Sequence, residues 1–122
     1  MANEISVTIK ITFAKGTLPT VTRNPSALSV DMTGTQFVAG VQSIGTAEEA
    51  LDLGDMGALT LGWMYCKNLD GTNFVEIRPA TATADLIKLK AGEFALFRLT
   101  SNTPYAIADT AACELDYLIV ED

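Results

Sequence analysis

Apolar and polar residues alternate with period two along most of this chain. In EISVTIKITF, Ile5, Val7, Ile9, Ile11 and Phe13 fall on one face, and Glu4, Ser6, Thr8, Lys10 and Thr12 on the other. That is the pattern of an antiparallel strand with one face buried and one in water, and its β-branched content points the same way. Lys15-Gly16 opens a break, and Pro19 and Pro25 punctuate the stretch beyond it. Further strand-like runs cover 27–32, 36–44, 58–67, 74–78, 86–90, 93–99, 105–108 and 113–120. Within them the alternation puts Val38 and Ile44 opposite Phe37 and Val41. It groups Leu59, Leu61, Trp63 and Tyr65 on one face, and Cys113, Leu115, Tyr117 and Ile119 on one face. Only 46–51 reads as a helical turn, with Thr46 as its cap and Glu49 at the third helical position. It is too short to stand alone, and 49–53 reads equally as strand.

Short strands separated by turn residues, with no long helix, predict an all-β fold. We expect a single domain over residues 1–122, an antiparallel β-sandwich of jelly-roll type. Without crossover helices, parallel βαβ organisation is excluded. In CKNLDGTNFVEIRP (66–79), Asp70-Gly71 lies between two strand-like runs and predicts a hairpin pairing 58–67 with 74–78. A calcium loop is the competing reading. Asp70 is the only carboxylate there, beside Asn68, Thr72 and Asn73, and the acidic spacing of such a loop is missing.

Composition narrows the function. At 122 residues, 48% of them apolar, the chain can bury one substantial core. Net charge is −7, and the eight basic residues are scattered singly. Nucleic-acid and anionic-membrane binding are therefore not expected, because both need a basic patch. The N-terminal residues show no apolar signal-peptide core and no run spans a bilayer, so synthesis in the cytoplasm is expected. In that setting Cys66 and Cys113, each inside an apolar run, read as buried free thiols.

Catalytic chemistry finds little support. With no histidine in the chain, histidine-based triads, metal sites and proton shuttles are absent. The two cysteines lack CxxC spacing. Asp109-Thr110-Ala111 resembles the Asp-Thr/Ser-Gly tripeptide of retroviral-type aspartic proteases, which pair two such aspartates across a dimer. Here Ala111 replaces the glycine, and too little chain follows for the rest of that fold, so this stays a remote alternative. We expect no catalytic residues, no cofactor and no metal. Phe37, Trp63, Phe74, Phe94, Phe97 and Tyr105 offer a ligand-pocket lining, but with only nine aromatics in the chain they read mainly as core. Runs 58–67 and 93–99, however, are apolar on both faces. A two-layer sandwich buries one face of each sheet, so a subunit or another protein should cover the other. The interface candidates are Ile5, Val7, Trp63, Tyr65, Phe94 and Tyr117.

Four segments carry a resemblance: VAGVQSIGTAEEALDLGD, YCKNLDGTNFVEI, IKLKAGEFALFRL and the terminal ADTAACELDYLIVED. Together they resemble small virion structural proteins of tailed bacteriophages over residues 37–122. The resemblance implies a capsid decoration (cement) protein on the capsid surface of the virion, with the major capsid protein as partner. It also implies a dimer or trimer on the shell. Strands with two apolar faces and long edge strands at each terminus predict a homo-oligomer, a trimer before a dimer, with the 2–13 or 113–122 strand near a subunit or capsid contact. The alternatives are a receptor- or glycan-binding module of a fibre or spike and a tail-tube subunit. Loops poor in aromatics weigh against the glycan binder.

Overall fold

The computed structural model describes residues 3–122. These are nearly all β, with 46% strand and 4% helix, and every sheet is antiparallel. The chain divides into two compact units, residues 1–33 and 34–122. The two four-stranded sheets lie in the second unit alone, not over 1–122.

The first unit is a two-stranded antiparallel ribbon in two segments. β1 (Ile5–Val7) pairs with β4 (Leu28–Val30), and β2 (Ile11–Phe13) pairs with β3 (Val21–Arg23). Ile5 faces Val30 and Val7 faces Leu28, while Ile11 faces Arg23 and Phe13 faces Val21. The register slips by one between the two pairs. The extra residue lies in 24–27, which holds Pro25, a residue at home in a bulge because it has no N–H to give a ladder. The tip turns at Gly16 (φ +55°), where the Leu18 N–H donates to the Lys15 carbonyl. At the other end the Met32 N–H donates to Glu4 Oε2, and the Asn3 N–H to Asp31 Oδ1. The alternation of 5–13 is thus realised, but a two-stranded ribbon has no second layer. Ile9, Ile11, Phe13, Leu18 and Leu28 are exposed. Met1 and Ala2, the start of the expected 2–13 strand, lie outside the described residues.

The second unit has eight strands: β5 (Phe37–Ile44), β6 (Glu49–Ala50), β7 (Leu61–Asn68), β8 (Val75–Arg78), β9 (Ile87–Leu89), β10 (Phe94–Arg98), β11 (Tyr105–Ala108) and β12 (Cys113–Glu121). One sheet runs β10-β7-β12-β5 and the other β6-β11-β8-β9. The pairings nest: β8 with β9, β7 with β10, β6 with β11, and β5 with β12. The buried cluster draws Ile44, Met64, Cys66, Leu115, Tyr117 and Ile119 from the first sheet, and Val75, Ile77, Leu89, Ala106 and Ala108 from the second. Residues 54–58 form a 3-10 turn that buries Met56. The 46–51 segment holds no helix. Glu49 does not act at a helix start but accepts the Gly45 N–H with Oε2.

Two local expectations change. First, β7 and β8 are not hairpin partners but lie in different sheets. Second, Leu61 does not share a face with Trp63 and Tyr65. Ile119 faces Met64 and Glu121 faces Leu61, so β7 advances three residues where β12 advances two. The extra residue shifts the phase, and Leu61 joins Met64 and Cys66 in the core. Gly62 sits in the bulge, where a Cβ would come within 3.2 Å of the Val120 carbonyl oxygen.

Candidate interaction surface

Side chains alternate across a strand, so the inward residues of the β10-β7-β12-β5 sheet identify the outward ones. Inward lie Met64, Cys66 and Asn68 from β7 and Cys113, Leu115, Tyr117 and Ile119 from β12, all buried. Outward lie Phe37, Ala39 and Val41 from β5, Leu118 and Val120 from β12, Trp63 and Tyr65 from β7, and Phe94 and Leu96 from β10. Register stacks them in rows. Ala39, Leu118, Tyr65 and Leu96 form one row, and Val41, Asp116, Lys67 and Phe94 the next. Phe37 is 67% exposed, Phe94 70% and Val41 56%, while Leu96 and Leu118 are about two-fifths exposed. The charged members are Glu114, the cross-strand pair Asp116 and Lys67, and Arg98. The Arg98 guanidinium lies 5.4 Å from the Trp63 ring centroid and 2.8 Å from Asp122 Oδ1. Trp63 Nε1–H has no acceptor among the described residues.

Of the residues expected at an interface, Trp63, Tyr65 and Phe94 share this face. Ile5 and Val7 are half-buried in the ribbon. Tyr117 is not at a surface: it is 4% exposed and inward, and its hydroxyl donates to the Asp52 carbonyl at 2.7 Å. A β12 residue of that phase must enter the core, and Leu118 is the outward residue beside it.

The size of the face decides what it can do. Fully burying a large apolar side chain contributes roughly 1.5–3 kcal/mol. Phe37, Val41, Phe94, Leu96 and Leu118, all partly exposed, would together contribute about 4–8 kcal/mol. Association costs roughly 4–15 kcal/mol in lost freedom. One face therefore yields weak attachment, and durable binding needs several copies acting together.

The 68–73 segment is a corner between sheets. Asn68 is fully buried. Its Nδ2 donates to the carbonyls of Asn73 (2.8 Å) and Leu89 (3.1 Å), and its Oδ1 accepts the Asp70 N–H (2.9 Å). Asp70 Oδ2 accepts the N–H groups of Asn73 and Thr72, which hold its carboxyl below the usual range. These oxygens are committed to closing the corner. The Asp109 N–H donates to the Phe74 carbonyl, and the Thr110 hydroxyl to Asn73 Oδ1, so this tripeptide ties two corners together.

Glu48 accepts from Thr81, Ala82 and Arg78, which lower its pKa in that order. Arg78 also pairs with Asp85 at 2.7 Å. That pairing matters for an apolar cleft of about 140 Å³ lined by Ile77, Pro79, Leu86, Ile87, Phe97 and Leu99. Arg78 and Arg98 stand at the cleft, and both are already paired with carboxylates. Cys66 and Cys113 are buried free thiols. Burial pushes Cys66 up to about 12; Cys113 is raised by burial and by the carboxylates of Asp70 and Asp109. Among the described residues no three metal-ligating side chains converge, and no helix is long and apolar enough to cross a membrane.

The chain matches no family model, no curated protein and no solved structure.

Proposed function

We propose that this protein is a non-enzymatic structural component of a tailed-bacteriophage particle. In this reading it is a capsid decoration protein that binds the outer surface of the shell and the major capsid protein beneath it. The observation that carries the reading is the outward face of the β10-β7-β12-β5 sheet. It is apolar across four strands, with Glu114, Asp116 and Lys67 toward one end and Arg98 at the other. A face of this kind is expected where a second protein excludes water. Weak attachment at each contact suits a protein held many times on a lattice as a homo-oligomer. The virion-like segments in 37–122 agree with this role.

The finer fold reading is a jelly-roll sandwich. Its support is the nesting of pairs 8-9, 7-10, 6-11 and 5-12, an antiparallel ribbon rolled so that its strands alternate between two sheets. Charge bears on orientation. Residues 34–122 hold five basic and thirteen acidic residues, a net charge of −8. Such a surface suits solvent better than packaged nucleic acid.

The test is binding of the purified chain to particles stripped of it. Leu118→Asp should abolish retention and leave circular dichroism unchanged. Retention of the variant at wild-type level would defeat the proposal. Binding to a glycan array, or ring formation in solution, would move the assignment to a host-facing module or a tail tube.

A further inference from the structure

The strongest unassigned feature is the free edge of β5. Among the described residues β5 pairs with β12 alone. The Glu121 N–H donates to the Gln36 carbonyl, which fixes the phase of the ladder. In an antiparallel pair alternate residues direct their main-chain groups to the partner. Gln36, Val38, Gly40 and Gln42 thus face β12. Phe37, Ala39, Val41 and Ser43 turn their N–H and C=O groups to the open side. Unpaired edges of this kind are templates for another strand, and proteins usually blunt them with charge, proline or brevity.

The other sheet edges are blunted. β6 has two residues and β9 has three, while β10 is preceded by Glu93 and ends at Arg98. β5 is eight residues long and has no charge and no proline. The chain carries no charged residue between Asp31 and Glu48, its longest uncharged stretch.

We propose that two copies of this chain pair edge to edge through β5, antiparallel about a two-fold axis. The free edge is its own antiparallel complement, which selects a second copy as the occupant. Two copies of net charge −7 repel, and that repulsion is least along the uncharged strip. The free positions are symmetric about Gly40. A pairing centred there sets Ala39 opposite Val41 of the second copy and Phe37 opposite Ser43, and satisfies all four residues on both chains. Ala39, Gly40 and Val41 are exposed, and nothing lies within 4 Å of where a Gly40 Cβ would stand. The result is one eight-stranded sheet with a doubled apolar face. An isologous contact closes at two copies, so the edge argues for a dimer where the sequence pattern predicts a trimer before a dimer. This inference concerns self-association and does not depend on the capsid role.

Analytical ultracentrifugation of the full chain should give twice 13.0 kDa. Ala39→Pro places no N–H on the free edge and leaves the β12 ladder intact. Ala39→Glu puts like charge on both copies. Each should weaken the dimer about 100-fold or more, with unchanged circular dichroism. Hydrogen exchange of the unmodified chain gives an independent reading: the amides of Ala39 and Val41 should be protected in the dimer. A monomer or a trimer at high micromolar concentration would overturn the proposal. So would a dimer that survives both substitutions, or a dimer whose Ala39 and Val41 amides exchange freely.

Discussion

Replacing Asn68 with alanine should destabilise the second unit more than any other single polar change. The side chain is fully buried and makes three hydrogen bonds, to the carbonyls of Asn73 and Leu89 and from the N–H of Asp70. Removing it strands those three groups at a closed corner. An unsatisfied buried polar group costs about 1–3 kcal/mol. With partial access of water to Asp70 and Asn73, we expect a loss of about 3–5 kcal/mol against a typical total of about 5–15 kcal/mol. Urea denaturation should show a lower midpoint at constant slope. Asn68→Asp adds a sign test. A carboxylate facing two carbonyls folds more readily protonated, so its folded pKa lies above the unfolded one. Its stability should therefore fall as pH rises above about 4, while that of Asn68→Ala should not follow it. A loss below about 1 kcal/mol for Asn68→Ala would refute the corner assignment.

The thiols give a second check. Neither cysteine should react with a thiol reagent in the folded chain. Because the folded Cys66 pKa is raised from 9.0 to about 12, the unfolded thiol ionises first. Stability should then decline between those values by about 1.4 kcal/mol per pH unit; flat stability from pH 9 to about 11 would contradict the burial. Gly34→Ala should also destabilise, by about 1–3 kcal/mol. Its Cβ would clash with the Glu121 side chain, whose carboxylate is held by the N–H groups of Thr35 and Gln36. Glu121→Ala combined with Gly34→Ala should cost less than the sum of the two, and strict additivity would show that they do not meet.

Alternation makes much of the second unit legible. Tyr105–Ala108 falls where the pattern puts it, and Cys113, Leu115, Tyr117 and Ile119 do line one face. Three things escape the pattern, each for a physical reason. Asp70-Gly71 signals a turn, but turn chemistry does not say which strand comes next, and the chain crosses to the other sheet. The bulge at Gly62 moves Leu61 across the sheet, and a one-residue phase shift leaves no mark in hydropathy. The clean alternation of 5–13 specifies a strand but not what covers it, and here it builds a ribbon with no layer of its own. For the interaction surface, apolar residues on both faces of β7 and β10 are readable from the sequence. The inward position of Tyr117 is readable too, because alternation groups it with Cys113, Leu115 and Ile119 and sets Glu114 and Asp116 on the opposite face. The free edge of β5 needs the ladder itself, since its partner β12 lies far along the chain and is set by the nesting of pairs.

Imaging a particle that carries this chain tests the docking face most directly. Trp63, Tyr65, Leu96 and Leu118 should lie against the shell or against a neighbouring subunit, with that face closed to solvent. A particle on which the β10-β7-β12-β5 face stands open to solvent in every copy would contradict it.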